Sequence, residues 1–323
     1  MKAVYIEQFG GIDALRYGDI PTPQPAAGEA LVRIAYSGVN FIDTYHRIGA
    51  YKLPLPAVLG SEACGYVEQV GEGVASVKPG DRVAYTMTRG SYAEYHAVPA
   101  LQLVKVPEGV DDATAAACML QGTTAHYLMK STFPLKKGQT ALVHAAAGGT
   151  GRLLVQIGAG ILGARIIATV GSEEKAKLTL GDGSSAAILY NQQDFAEEVK
   201  RLTGGKGVDV VYDGVGKTTF VKGLDCLRPQ GFMVSFGNAS GPPPPLEMST
   251  LMQKGSLYAT RPTLANYIAS REDLEWRSSD VFRWIAEGRL KIRIDKVYPL
   301  AEAAQAHRDL EGRKTTGKLV LKT

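Results

Sequence analysis

The run His144-Ala-Ala-Ala-Gly148-Gly149-Thr150-Gly151 places small residues directly after an apolar stretch and at the head of an amphipathic one. Small residues there let backbone amides approach a pyrophosphate, which then lies at the positive end of a helix dipole. Taken alone, such a run serves as well for a tight structural turn, and its spacing differs from G-x-G-x-x-G. Its place as the first turn of a strand–helix series favours the phosphate. The second turn of the series reads Ala168-Thr-Val-Gly171-Ser172. It lacks the Asp or Glu that holds a ribose 2′-hydroxyl in NAD sites, so the 2′ position is open to a phosphate. Ser172 suits a helix N-cap, and Lys175 falls in the first turn, where a cation opposes the dipole by about 0.3–1 kcal/mol unless an anion sits beside it. Beside Glu173 and Glu174, the same lysine also reads as a solvated surface residue. Tyr190, at the end of the third strand, would line the same pocket.

Metal chemistry lacks ligands. The histidines at 46, 96, 126, 144 and 307 show no H-x-x-x-H or H-E-x-x-H pattern, and the cysteines at 64, 118 and 226 show no Cys-x-x-Cys spacing. A zinc site needs three or four such groups converging, so these histidines are expected to be satisfied or exposed ones. Serine hydrolysis lacks G-x-S-x-G. Three scattered cysteines also fit no disulfide framework, which agrees with a reducing cytoplasm. The N-terminus carries no export signal, and the longest apolar stretch, 153–170, is broken by Gln156, Arg165 and three glycines.

The elements that must position these residues fall into two regimes. Up to about residue 120, short β-rich runs at 30–35, 65–70 and 82–85 are separated by Pro21-Thr-Pro-Gln-Pro25, Gly71-Glu-Gly73 and Lys78-Pro-Gly-Asp81, the rhythm of an antiparallel or barrel domain. Strands at 140–145, 165–170, 186–190, 208–212 and 231–236 then alternate with helices at 151–162, 172–180, 194–203 and 218–227. Right-handed crossovers make such a series a doubly wound parallel sheet. The segment Asn238-Ala-Ser-Gly-Pro-Pro-Pro-Pro245 is a loop, 256–260 one more strand, 264–288 helical and 317–321 a final strand. Length of 323 residues, 45% hydrophobic and 21% charged content and a net charge of +4 without a basic run describe a globular chain of two domains and disfavour a nucleic-acid binder.

Over essentially its whole length the chain resembles the zinc-free quinone oxidoreductases (quinone reductase and zeta-crystallin family) of the medium-chain dehydrogenase/reductase superfamily. The resemblance rests on Gly38-Val-Asn-Phe-Ile-Asp-Thr-Tyr45, Gly60-Ser-Glu-Ala-Cys-Gly65, Val70-Gly-Glu-Gly-Val74, Gly80-Asp-Arg-Val83, the 144–151 loop, Thr169-Val-Gly-Ser172, Val211-Tyr-Asp-Gly-Val-Gly216 and Val234-Ser-Phe-Gly-Asn238. Asn40 and Ser61 stand where zinc alcohol dehydrogenases of the superfamily have Cys and His, and the cysteine-rich structural zinc lobe is missing. No metal is therefore expected.

The resemblance implies a Rossmann-type doubly wound sheet plus a GroES-like β-barrel catalytic domain: 1–120 for the first part of the barrel domain, 121–264 for the NADPH-binding domain and 265–323 for the return to the barrel. It implies that Asn40, Phe41, Tyr45 and Tyr127 face the nicotinamide, with Val215, Phe236, Gly237 and Asn238 on its far side. Gly148, Gly149 and Thr150 would hold the pyrophosphate, and Gly171, Ser172, Lys175 and Tyr190 the 2′-phosphate end. The active site would lie between the domains. Three departures stand out: Thr150 for a common Val, Arg152 for a small or apolar residue, and Gly181-Asp-Gly-Ser-Ser185 for Leu-Gly-Ala-Asp. The first two are expected to alter the grip on cofactor.

A quinone is an electrophile that needs no strong base, so binding and orientation can carry the reaction. The expected catalytic set is Asn40, donating a hydrogen bond to a carbonyl or carboxamide, with Tyr45 and Tyr51 stacking on the quinone; Tyr51 also suits packing or an interface. Reduction of α,β-unsaturated carbonyls is the alternative within enzymes, and a non-catalytic crystallin-like or RNA-binding protein the alternative outside them. A homodimer is expected, because the exposed strand at 256–260 invites a two-fold partner.

Overall fold

The computed structural model describes residues 1–312 and 315–323. They form two compact units: 1–123 with 268–288 and 292–323, and 124–267 with 289–291.

The first unit is built on a seven-stranded sheet that runs Ile294–Pro299, Lys318–Lys322, Glu29–Val39, Glu62–Val70, Arg82–Thr86 and Val104–Lys105, with Tyr95–Pro99 also paired to Glu29–Val39. All pairs are antiparallel except the first. Inward residues such as Val32, Ile34, Val67, Val83, Tyr85 and Val98 make one apolar core, each large side chain contributing about 1.5–3 kcal/mol on burial. A smaller sheet, Leu15–Asp19, Lys2–Ile6 and Ala57–Val58, joins a second core with Tyr298, Leu310 and Leu321.

The second unit has a six-stranded parallel sheet ordered Ala186–Leu189, Arg165–Val170, Thr140–Val143, Val208–Asp213, Leu227–Ser235, Tyr258–Thr260. Counted along the chain this is 3-2-1-4-5-6, the doubly wound order with a switch point beside Thr140–Val143. The central strands, Thr140–Val143, Arg165–Val170 and Val208–Asp213, are buried on both faces, which explains their continuous apolar runs.

Several elements differ from the sequence reading. The helix expected at 151–162 begins at Gly149 and turns π-helical over Ile157–Ile161. The helix expected at 218–227 shrinks to Phe220–Gly223 and a 3-10 turn, Leu224–Cys226, because the next strand starts at Leu227. The helical stretch at 264–288 is two helices, Leu264–Tyr267 and Arg271–Ala286, the second capped by Ser270. Strand Ile294–Pro299 and helix Ala303–Glu311 were not read from the sequence.

Candidate active site

In the second unit, the turns that leave the carboxyl ends of the parallel strands are laced side by side. Ala146 N donates to Thr169 O (3.1 Å), Tyr190 N to Val170 O (3.2 Å) and His144 N to Tyr212 O (3.0 Å). The helix Gly149–Gln156 starts at an N-cap, Gly148, that has no side chain to accept its amides. Its first-turn N–H groups therefore remain for an anion. Close approach dictates Gly151 and favours glycine at 171. A Cβ on Gly151 would lie 2.8 Å from the Cα of Ala146, and one on Gly171 would lie 2.7 Å from the hydroxyl of Tyr190. An acid at 171 would have to displace that phenol, and it would repel a phosphate. Asn191 Nδ2 donates to Gly171 O (3.0 Å), closing the turn. Ser172 caps helix Glu173–Gly181 by accepting from the Lys175 amide (3.3 Å), which puts the Lys175 side chain on the first turn. Tyr190 is 47% exposed beside it. These features suit a dinucleotide: bare backbone at the pyrophosphate end, and at the ribose end a hydroxyl, an ammonium and a phenol with no carboxylate at 171.

The residues expected on the far side of the nicotinamide lie on two neighbouring loops. Asp213 is fully buried, and its carboxylate accepts from Val215 N (2.7 Å), Gly216 N (3.1 Å) and Thr219 Oγ1 (2.9 Å). Phe236 N donates to Asp213 O (2.8 Å), so Val215, Phe236, Gly237 and Asn238 are brought together. Tyr127, in the same unit, is 2% exposed and stacked on Tyr267 at 4.3 Å and 13°. Thr150 is half-buried in the first helical turn, and nothing in the structure explains its replacement of Val. The other two departures explain each other: Arg152 and Asp182 form a two-pronged ion pair, Nε to Oδ2 at 2.5 Å and Nη2 to Oδ1 at 2.7 Å. Contrary to expectation, His144 is not fully satisfied. Its Nδ1 meets Thr169 Oγ1 at 2.9 Å, while Nε2 is buried without a partner and the ring stands edge-on to Phe195. Burial lowers its pKa.

In the first unit, Asn40 is the N-cap of helix Phe41–Arg47, and its backbone N–H donates to Asp43 Oδ2 (2.9 Å). Its side chain is 3% exposed. Nδ2 donates to Glu62 Oε1 (2.7 Å) and weakly to Gly38 O (3.4 Å); Oδ1 accepts from Lys318 Nζ (2.6 Å) and Gln121 Nε2 (3.5 Å). Lys318 also pairs with Glu62, whose other oxygen accepts from Leu120 N (2.6 Å). Both Asn40 donors are thus spent inside the protein. Ser61 donates to Asp43 (2.6 Å), and Tyr92 donates to the same carboxylate (3.0 Å). Burial pushes Asp43 up to about 6, against the hydrogen bonds from Ser61, the Asn40 backbone and Tyr92. Behind Tyr92, His307 Nδ1 accepts from Arg47 Nη1 (2.9 Å), which leaves its proton on Nε2, facing Tyr92 at 3.3 Å. Burial, and next the Arg47 charge, lower His307 to about 3. Phe41 and Tyr45 on helix Phe41–Arg47 and Tyr51 just beyond it form an aromatic run with centroids 6.4 and 5.5 Å apart, and Tyr51 is 40% exposed. Sequence reasoning gave no role to Lys318, Glu62, Asp43, Asp213 or the Arg152–Asp182 pair. Of these, only Asp213 had a local signal, the Asp-Gly-x-Gly turn.

Among the described residues, no group of three or more His, Cys, Asp or Glu could hold a metal ion, and no helix is long and apolar enough to cross a membrane. Two family models match: the alcohol dehydrogenase GroES-like domain at residues 26–108 and the zinc-binding dehydrogenase domain at 183–321. The chain is 46% identical over 322 residues to a quinone oxidoreductase of Pseudomonas aeruginosa, covering 99% of each. It is 42% identical to a 2-haloacrylate reductase of a Burkholderia species, covering 99% of this chain and 98% of that one. The crystal structure of Escherichia coli quinone oxidoreductase complexed with NADPH superposes with a TM-score of 0.98 at 42% identity, covering all of both chains. With its glycine-lined turns and doubly wound sheet, the chain belongs to the quinone oxidoreductase family of the medium-chain dehydrogenase/reductase superfamily.

Proposed function

We propose that the protein reduces quinones with NADPH, without a metal. The observation that carries the cofactor choice is the Gly171–Tyr190 contact: the phenol occupies the space that a side chain at 171 would need, so the ribose end holds no acid there and is offered Ser172 and Lys175. Gly148, Gly149 and Thr150 take the pyrophosphate, while Val215, Phe236, Gly237 and Asn238 border the nicotinamide. Bound there, the nicotinamide supplies reducing equivalents. The protein's part is orientation: Tyr45 and Tyr51 give the quinone an aromatic surface. Asn40 serves here as the anchor of the helix carrying Phe41 and Tyr45, since its amide is committed to Glu62 and Lys318. At the two positions where zinc relatives have ligands, Asn40 Oδ1 is held by the Lys318 ammonium and Ser61 donates to Asp43, so neither supplies the cysteine or histidine ligand that a zinc site uses.

The deciding experiment is steady-state turnover of NADPH over a panel of benzoquinones and naphthoquinones; absence of quinone-dependent oxidation of NADPH refutes the reading. The 2-haloacrylate reductase relative supports a second reading, reduction of electron-poor C=C bonds, and a panel of enones and haloacrylates run beside the quinones separates the two. We further propose a cytoplasmic homodimer. Strand Tyr258–Thr260 ends the parallel sheet with all three residues exposed, beside exposed Met248 and Met252, an edge that a two-fold partner strand would cover. Light scattering at micromolar concentration tests the dimer. The three free cysteines suit a reducing compartment.

A further inference from the structure

We infer that Arg152 and Asp182 are a positioning pair that sets this chain's preference for a 2′-phosphorylated dinucleotide, by fixing the pyrophosphate helix against the 2′-phosphate helix. The inference rests on the NADPH reading above. Arg152 lies in the helix Gly149–Gln156, whose N-cap is Gly148, and Asp182 is the C-cap of helix Glu173–Gly181, whose N-cap is Ser172. Their two hydrogen bonds, at 2.5 and 2.7 Å, are parallel prongs between side chains only 12% and 9% exposed. A two-pronged guanidinium–carboxylate contact fixes direction as well as distance, which a single charge contact does not. Low exposure removes most of the solvent screening. The residue after Asp182 adds to the lock, since a Cβ on Gly183 would sit 3.1 Å from Ala159, on the π-helical extension of the pyrophosphate helix. The two positions are also where the sequence departs from its family's pattern.

The consequence follows from geometry. NADPH presents two anionic groups on one scaffold, and each is met by a different helix start. Once the pyrophosphate is held, the second contact is intramolecular, and its strength depends on how firmly the two helices hold their spacing. NADH has no 2′-phosphate, so it uses only the first contact and is indifferent to that spacing. The pair therefore governs discrimination between the cofactors.

The test uses the intact protein and equilibrium titration with NADPH and with NADH, supported by steady-state kinetics at saturating quinone. The variants are Arg152→Met, Asp182→Leu, the double replacement, and Arg152→Lys, which keeps the charge but cannot make both prongs. Each single variant is expected to lose NADPH affinity about tenfold, with NADH affinity unmoved and the double no worse than either single, as befits residues that act as a unit. The loss falls on KM for NADPH and not on kcat. Arg152→Lys is expected to behave as the other singles do, and it carries the test if Arg152→Met does not fold. Wild type that prefers NADPH while all four variants keep that preference overturns the inference and leaves the NADPH reading standing. So does a parallel loss of both cofactors together with a lowered melting temperature, which marks a structural tie only. Wild type that binds both cofactors equally overturns both.

Discussion

Replacing Lys318 with methionine isolates a fully buried ion pair. The ammonium is buried, 2% exposed, between Glu62, which is fully buried, and Asn40 Oδ1 at 2.6 Å. Methionine fills nearly the same volume but leaves the Glu62 carboxylate with only Asn40 Nδ2 at 2.7 Å and the Leu120 amide at 2.6 Å. Orphaning one member of a buried pair costs about 3–5 kcal/mol. At about 2–4 °C per kcal/mol for a domain of this size, the melting temperature falls by roughly 6–20 °C. Replacing both members, Lys318→Met with Glu62→Gln, removes the lone charge, keeps an acceptor for Leu120 N–H and recovers most of the loss, so the double variant is more stable than Lys318→Met alone. Thermal unfolding followed by circular dichroism on the wild type, both singles and the double gives the full cycle. Single losses that simply add in the double refute the reasoning, as does a Lys318→Met protein that melts with wild type. Because Asn40 anchors the helix that carries Phe41 and Tyr45, the same variant is expected to raise KM for quinone.

Lys175→Ala is expected to reduce the preference for NADPH over NADH by roughly 10–100-fold, the equivalent of one charge-assisted hydrogen bond of about 1.5–3 kcal/mol; paired titrations check it, and a parallel change for both cofactors counts against it. Stability is expected to fall as pH drops from about 6.5 towards 3. The buried ring of His307 titrates at about 3 when folded, so the unfolded chain takes up the proton first, and stability present above its ordinary pKa is lost as pH falls through the folded value. His96 and His46, lowered by burial to about 4, act in the same sense, while Asp43, raised to about 6, opposes them by adding stability below that pH. Urea unfolding of wild type and His307→Gln from pH 4 to 7 measures this, and the variant should show the shallower slope. Purified protein is expected to carry no stoichiometric zinc and to keep its activity in chelator; one tightly bound equivalent by elemental analysis contradicts that.

What could be read from the sequence was what is periodic or local. The parallel series appeared as apolar runs because Leu142, Ile167, Ile188 and Val211 are buried in the interior of the sheet, and the phosphate loop appeared because Gly148, Gly149 and Gly151 are adjacent. The π-helical turn at Ile157–Ile161 was invisible, since no local pattern marks it, and the close approach of Gly158 to the side chain of Ile166 is a tertiary one. Edge strand Ile294–Pro299 was missed for want of burial, having only one buried residue. Contacts distant in sequence left no trace at all. Arg152 looked like a defect in the loop until Asp182, 30 residues away, supplied its partner, and Asn40 looked like a substrate donor until Lys318 and Glu62 claimed its amide.

The distance between Glu62 and Lys318, 256 residues, has a consequence for how the protein is made. At a synthesis rate of about 5–20 residues per second, the carboxylate leaves the ribosome on the order of tens of seconds before its ammonium. Residues 124–267 have their whole sheet available during that interval, and the parallel unit can close while translation continues. The first unit cannot, because strand Lys318–Lys322 lies in its sheet between Ile294–Pro299 and Glu29–Val39. Until that strand arrives, an open antiparallel edge and a half-built polar cluster stay exposed to chaperones and proteases. A nascent chain stalled before Lys318 would therefore hold a finished nucleotide-binding half beside an unfinished one, and it is the unfinished half that cellular quality control would find.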